Sequence, residues 1–307
     1  MSRIHPPELM TRRHFLQVLG GAAATGLLCC SPLPVFADHR GALNQQVNSY
    51  VRKLRRTGRV PADEITAWSV YDFTTGQKLV SINENRPLQA ASMIKPFLAQ
   101  AYFFRHQENQ WRYPYDRQVR LKMQAMIRDS DNAASNFFIN RVGGNRPVNQ
   151  RPREVERVLK RYAGGIFQQT SIVEYIPKNG RTYRNKASAH DYSRFLYAMH
   201  HDRLPHASEI MHYMGMPSRN RIRDAVLPAD VKLYHKSGTT AHLCGDMGLL
   251  VARDCNGKPC PYTFIGIIQK NRRARNYGAW MRDRGNVIRE VSALVYDCMR
   301  RRLNLAG

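Results

Sequence analysis

The strand-like stretches of this chain lie near its two ends, and that separation constrains the fold more than any other feature. Residues 65–73 (ITAWSVYDF) and Gln77–Ile82 (QKLVSI) are rich in β-branched and aromatic residues and are joined by a Thr-Thr-Gly turn, the pattern of a hairpin. Three further runs, KLYHKSG (232–238), DMGLLVA (246–252) and YTFIGIIQ (262–269), come late in the sequence. Between the two groups, residues 92 to about 215 carry mostly helical patterns, broken at Gly143-Gly144, Gly164-Gly165 and Asn179-Gly180. Leu43, Val47, Val51 and Leu54 mark an amphipathic helix over 40–57, and Val287, Ile288, Val291, Leu294, Val295, Cys298 and Met299 mark a long closing one. This order predicts an α+β fold: a five-stranded antiparallel sheet built from both chain ends, terminal helices packed on one face, and an all-helical lobe inserted between. A cleft is expected where the lobe meets the sheet.

The first 37 residues read differently from the rest. Arg12-Arg13 precedes a weakly apolar run (LQVLGGAAATGLLCC), and Val35-Phe36-Ala37 offers a small-residue cleavage site. The stretch resembles a bacterial twin-arginine export signal, which implies a periplasmic protein comprising residues 38–307. The run is shorter and richer in Gly and Ala than a spanning helix of about 18 or more strongly apolar residues. Neither Cys29 nor Cys30 follows lipobox residues, so a soluble monomer without a membrane span or lipid anchor is expected.

Removing residues 1–37 takes away three arginines and one glutamate, leaving 45 basic and 22 acidic side chains and a net charge of +23. Such an excess implies anionic surroundings. Basic residues interleaved with aromatics in a groove motif are missing, so envelope polymers or phospholipid headgroups are favoured over nucleic acid. RNRIR (219–223) and RRR (300–302) read as solvated faces. Cys255 and Cys260 bracket an Asn-Gly turn between two strand-like runs, where a disulfide could cross the hairpin in an oxidising compartment. His200, His201, His206 and His212 cluster without a metal-ligand pattern, so neither metal nor cofactor is expected.

Three short motifs fall on the predicted lobe boundary: Ser92-Met93-Ile94-Lys95, Ser130-Asp131-Asn132 and Lys236-Ser237-Gly238-Thr239. A lone S-x-x-K is more often a helix cap than a site. The ordered set, with first members 38 and then 106 residues apart, is far more specific. Ser92 and Lys95 share one face of a helical turn, so the amine can reach the hydroxyl. The hydroxyl is protonated at neutral pH and needs a base to become a nucleophile. Lys95 can be that base only as a neutral amine, which burial or a neighbouring cation would produce.

At these residues the sequence resembles the class A β-lactamases and their penicillin-binding relatives, whose motif set is S-x-x-K, S-D-N and K-T/S-G. The resemblance covers nearly the whole of 38–307, including NRIRDAVLPADVKLYHKSG (220–238) and the Asp246-Met247-Gly248 step. It implies Ser92 as nucleophile, Lys95 as its base, and Lys236 as the second cation. Ser130 would pass a proton to the leaving nitrogen, and Asn132 would bind the substrate's amide. The oxyanion would rest on the backbone N–H groups of Ser92 and Thr239. Gly238 would leave room for substrate along the strand, and Ser237, Thr239 and Arg221 would hold the substrate carboxylate, although Arg221 reads equally well as a loop charge.

Glu174 is the sole carboxylate where the family carries its deacylating glutamate, but it continues Tyr175-Ile176-Pro177 without the family's L-N step. It is read either as the general base or as an ion-pair partner in an arginine-rich chain. Three functions follow: a hydrolase opening β-lactam amides through an acyl-enzyme on Ser92, a penicillin-binding D,D-peptidase acting on peptidoglycan stem peptides, or a non-catalytic envelope-binding or sensor module.

Overall fold

The computed structural model describes residues 39–178, 183–223 and 227–306. The proposed export signal and the Asn179-Gly180 turn therefore lie outside the described residues. Helix α1 (His39–Arg56) leads into β1 (Glu64–Asp72) and β2 (Gln77–Ile82). A two-residue strand, β3 (Leu88–Gln89), precedes a 3-10 turn at Ala91–Ile94 and helix α2 (Lys95–Glu108). The lobe continues through α3 (Arg117–Ile127), α4 (Asn132–Gly143) and α5 (Arg151–Ala163). After β4 (Lys186–Ala187) come α6 (Ala189–His200) and α7 (Ala207–Gly215). Strands β5 (Lys232–Thr239), β6 (Leu243–Arg253) and β7 (Pro259–Lys270) and helix α8 (Tyr277–Leu303) complete the chain.

The five long strands pair antiparallel in the order β2-β1-β7-β6-β5. The last strand thus inserts beside the first, which is how the two chain ends close one sheet around the helical insertion. Residues pointing to one face (Trp68, Val70, Leu250, Phe264) pack with Leu43, Val47, Val287 and Val291 from α1 and α8. Residues of the other face (Ala67, Met247, Leu249, Ile265) join Phe97, Tyr192 and Phe195 in a core continuous with the helical lobe. Strand alternation supplies both faces at once, because successive side chains point to opposite sides. The sequence pattern did not reveal β3 and β4, since two residues leave no periodicity to read. They pair at Leu88↔Ala187 and tie the lobe's return segment to the stretch before Ser92.

The Cys255–Cys260 disulfide does not form. The β6–β7 hairpin is present, but its register sets Cys260 against Ala252, and Cys255 falls in the loop itself. Gly257, in the left-handed region at φ 76°, turns that loop, and Asp254 Oδ1 accepts from the backbone of Asn256 and Lys258. Cys255 is exposed and Cys260 is buried, both as free thiols. The clustered histidines take part in aromatic packing: His206 stacks on Phe103 with centroids 4.3 Å apart, and His200 and His201 flank Phe73. Among the described residues no helix is long and apolar enough to cross a membrane.

A buried ion pair fastens α8 to the sheet. Glu64 at the start of β1 meets Arg284 Nε at 2.6 Å and accepts 2.7 Å from Trp280 Nε1, with the carboxylate fully enclosed. Deleting one partner of such a pair strands the other charge away from water. Glu64→Ala is therefore expected to lower unfolding stability by about 3–5 kcal/mol, read from urea denaturation. A loss below about 1 kcal/mol would mean that water reaches Arg284 freely.

Candidate active site

The site forms where the 3-10 turn meets β5. Ser92 sits in that turn rather than capping it, and the position before the turn, Ala90, offers no side-chain cap. Ala91 holds a left-handed φ of 48°, a conformation that costs about 1–3 kcal/mol in a residue with a Cβ. Neighbours hold it there: Ala91 O accepts 2.8 Å from the buried Tyr183 hydroxyl, and Ala90 N donates to Asn185 O at 2.9 Å.

The turn docks on a trough in the sheet. Gly238 on β5 pairs across the ladder with Gly245 on β6, and Met93 lies over both. A Cβ on Gly238 would stand 2.9 Å from Ala91 Cβ and 3.0 Å from the Met93 backbone nitrogen. The space left by the missing side chain of Gly238 is filled by the turn bearing Ser92, so Gly238 permits close packing of protein on protein. Strand β5 is the sheet edge, and it is this open edge that remains available for pairing with an extended ligand.

Two lysines meet at Ser130. Lys95 opens α2 and is fully buried, and its Nζ contacts Ser130 O, Ser130 Oγ at 3.3 Å and Asn132 Oδ1 at 2.8 Å. Lys236, 4% exposed, donates to Ser130 Oγ at 3.1 Å and to Ser237 O at 3.1 Å. Ser130, itself at φ 61°, therefore bridges two amines that lie 141 positions apart in the sequence. Burial first and the charge of Lys236 second bring the Lys95 amine down to about 7, with Asp131 opposing both. Burial likewise brings Lys236 to about 8, with Asp246 resisting and Arg221 adding to the fall. A proton shared by the pair falls preferentially to Lys236, which leaves Lys95 the amine more readily neutral.

Several expected contacts differ. Lys95 Nζ engages Ser130 and Asn132 in place of Ser92, whose half-buried hydroxyl makes no hydrogen bond among the described residues. Asn132 spends its amide donor on Pro177 O at 3.1 Å and its acceptor on Lys95, so it ties the Lys95 amine to the loop at Pro177. Ser237 Oγ donates to Arg219 O at 3.3 Å, and Thr239 is exposed at the strand end. Arg221 lies close enough to depress Lys236, its Nη1 donating to Gly245 O at 3.3 Å and its backbone N to the buried Asp246 at 2.7 Å.

Glu174 is engaged by Arg184 and makes no hydrogen bond or ion pair with either lysine. Its two oxygens accept from Arg184, one from the backbone at 2.6 Å and one from the guanidinium at 2.7 Å. The loop segment that faces α4 is instead Ile176-Pro177, because Asn136 clamps Ile176 through both its backbone N–H and C=O. The abundance of arginine in the chain makes the ion pair the readier use of a lone glutamate. Reading the sequence missed Asn136, Tyr183, Asn185 and His235. Only Asn136 left a signal, one helical turn beyond Asn132 on the same face. Asn185 holds the loop by accepting from Val173 N and Glu174 N, and His235 braces Asp246 at 3.1 Å beneath Lys236.

Removing the Lys236 charge must favour protonation of Lys95. Lys236→Ala is expected to move the Lys95 titration upward from about 7, followed by NMR of isotope-labelled lysine side chains. An unmoved or lowered value would mean that the two amines do not feel each other.

Residues 111–299, more than half of the chain, match the β-lactamase enzyme family. That stretch contains Ser130, Asn132 and Lys236 and begins after Ser92 and Lys95. PBP-A shares the fold, with a TM-score of 0.66 over 85% of this chain and 96% of that chain at 19% identity. A PBP-A variant solved as an acyl-enzyme complex with penicillin G gives 0.65 at 18% identity over 85% and 97%. An ancestral class A β-lactamase gives 0.62 at 18% identity, covering 82% of this chain and all of that one. A β-lactamase from Chitinophaga pinensis gives 0.63 at 16% identity, covering 82% and 99%. No curated protein sequence matches the chain.

Proposed function

Since the chain belongs to the β-lactamase enzyme family, we propose that it attacks the amide of β-lactams through Ser92 and forms an acyl-enzyme. The observation that carries this reading is the Ser130 hydroxyl held between two desolvated lysines, Lys95 and Lys236. In the proposed reaction the Ser92 hydroxyl proton passes to neutral Lys95 as Oγ bonds to the carbonyl carbon. Breakage of the C–N bond is completed when Ser130 gives its proton to the departing nitrogen, and the lysines return one to Ser130. Lys236 and Arg221 supply positive potential for a substrate carboxylate, with Ser237 and Thr239 at the strand edge beside it. Residues 1–37 are proposed as a twin-arginine-type signal delivering residues 38–307 to the periplasm.

Deacylation separates this reading from the peptidase. Hydrolysis of the acyl-enzyme needs a base beside water, and the only loop glutamate of this region is paired with Arg184. We therefore assign Glu174 to holding the loop and propose slow turnover, which brings the chain functionally near the penicillin-binding peptidases acting on stem peptides. A chromogenic cephalosporin followed by intact-mass spectrometry tests both halves. A covalent adduct that persists and is lost in Ser92→Ala is the expected result, with its formation rate rising as pH passes about 7. Lys236→Ala should slow that formation by about two orders of magnitude, the scale of one preorganised electrostatic group. No adduct and no turnover would leave only the non-catalytic module.

For Glu174→Gln the expected hydrolysis rate stays within about threefold of the parent, because the residue acts through the loop. A fall of about a hundredfold with accumulating acyl-enzyme would instead make Glu174 the deacylating base.

A further inference from the structure

The chemistry at Ser92 leaves most of the positive charge unused, and part of that charge is gathered in one place. At the C-terminal ends of α2 and α4 lies a cavity of about 640 Å3 lined by Arg105, Arg112, Arg146, Arg157 and Arg161, with Glu154 as its only carboxylate. Three arginines share Glu154: Arg105 at 2.8 Å, Arg157 at 2.6 Å and Arg146 at 3.4 Å. Arg105 also pairs with Glu108, but Arg112 has only Asn145 Oδ1 at 3.3 Å and the ring of Tyr113. Arg161 stands over the Tyr162 ring and forms no ion pair among the described residues. The cavity thus keeps a surplus of guanidinium groups, whose planar forks match phosphate oxygens.

Two large apolar side chains close in sequence to cavity-lining arginines stand exposed where water makes that costly. Trp111, beside Arg112, is 97% exposed, and Val148, two residues beyond Arg146, is 60% exposed. The other two tryptophans, Trp68 and Trp280, are buried. A soluble phosphate would explain the arginines but not an indole standing in water. An exposed indole adjoining a lining arginine of a cationic hollow fits a membrane surface, where the ring sits among headgroups and the guanidiniums meet their phosphates.

We propose that this face docks on an anionic phospholipid surface, with a headgroup phosphate in the arginine cavity and Trp111 and Val148 in the interfacial layer. The Ser92 site lies at the other end of α2. Lys95 is the first residue of α2 and Arg105 lies in its last turn, so the cavity and the lysine pair are separated by about 15 Å along the helix. Docking therefore leaves the cleft open, and the proposal stands independently of the reaction at Ser92.

The test is binding of the protein, residues 38–307, to vesicles of phosphatidylcholine alone and of phosphatidylcholine with phosphatidylglycerol. With the other indoles enclosed, Trp111 emission reports docking directly. A blue shift with the anionic vesicles only is expected. Arg112→Gln with Arg161→Gln should weaken partitioning about tenfold or more, and Trp111→Ala should abolish the shift. Arg52→Gln with Arg56→Gln on α1 removes the same charge from the opposite side of the sheet and should cost less than about threefold. Equal losses in the two double variants would reduce the effect to diffuse charge and overturn the proposal. So would an absent blue shift, or saturable binding of inorganic pyrophosphate to the cavity without vesicle association.

Discussion

Two amines buried around one hydroxyl cannot both carry a proton cheaply. Lys95 and Lys236 are withdrawn from water on either side of Ser130, and the structure around them serves to keep them there. Strand β5 brings Lys236 from the late part of the chain, α2 brings Lys95 from the early part, and the turn before α4 supplies Ser130 between them. The sheet order, with β1 lying beside β7, is the device that makes this meeting possible. Desolvation then does the chemical work, since it lowers both amines and lets a small asymmetry of neighbours choose the neutral one.

The position of Ser92 depends on fit of a different kind. Its turn packs on the Gly238–Gly245 pair through Met93, and a left-handed Ala91 is held by the Tyr183 hydroxyl. Strain in the backbone and the absence of two side chains thus place Ser92, whose hydroxyl makes no hydrogen bond among the described residues. The loop over the site is stitched by three amides: Asn136 and Asn185 bind its backbone through both polar atoms, and Asn132 through its amide nitrogen. With Glu174 drawn off by Arg184, the loop presents Ile176 and Pro177 toward α4. The same abundance of arginine that diverts this glutamate also builds the cationic cavity at the far ends of α2 and α4.

Most of the architecture was legible because it rests on periodicity. The strand runs predicted from β-branched residues became β1, β2, β5, β6 and β7 with ends shifted by a few residues, and the apolar stripe ending at Met299 became α8. The three motifs were legible because their spacing is an ordered set. What stayed hidden had no periodic or local signal: β3 and β4 are too short, and Tyr183 and Asn185 work through single contacts at long range. The expected disulfide failed on register, since a spacing in the sequence does not say which residue of a hairpin enters the loop.

The sequence alone determined the long strands and the two terminal helices, the insertion of a helical lobe into a sheet made of both ends, and the residue types available for acyl chemistry. These follow from side-chain pattern and composition, which are local properties. Only the tertiary structure decided that Lys95 faces Ser130 and Asn132, that Gly238 receives Met93, that Glu174 belongs to Arg184, and that five arginines line one hollow. Those outcomes depend on which surfaces meet in space, where burial and competition among charges are settled by partners far away along the chain.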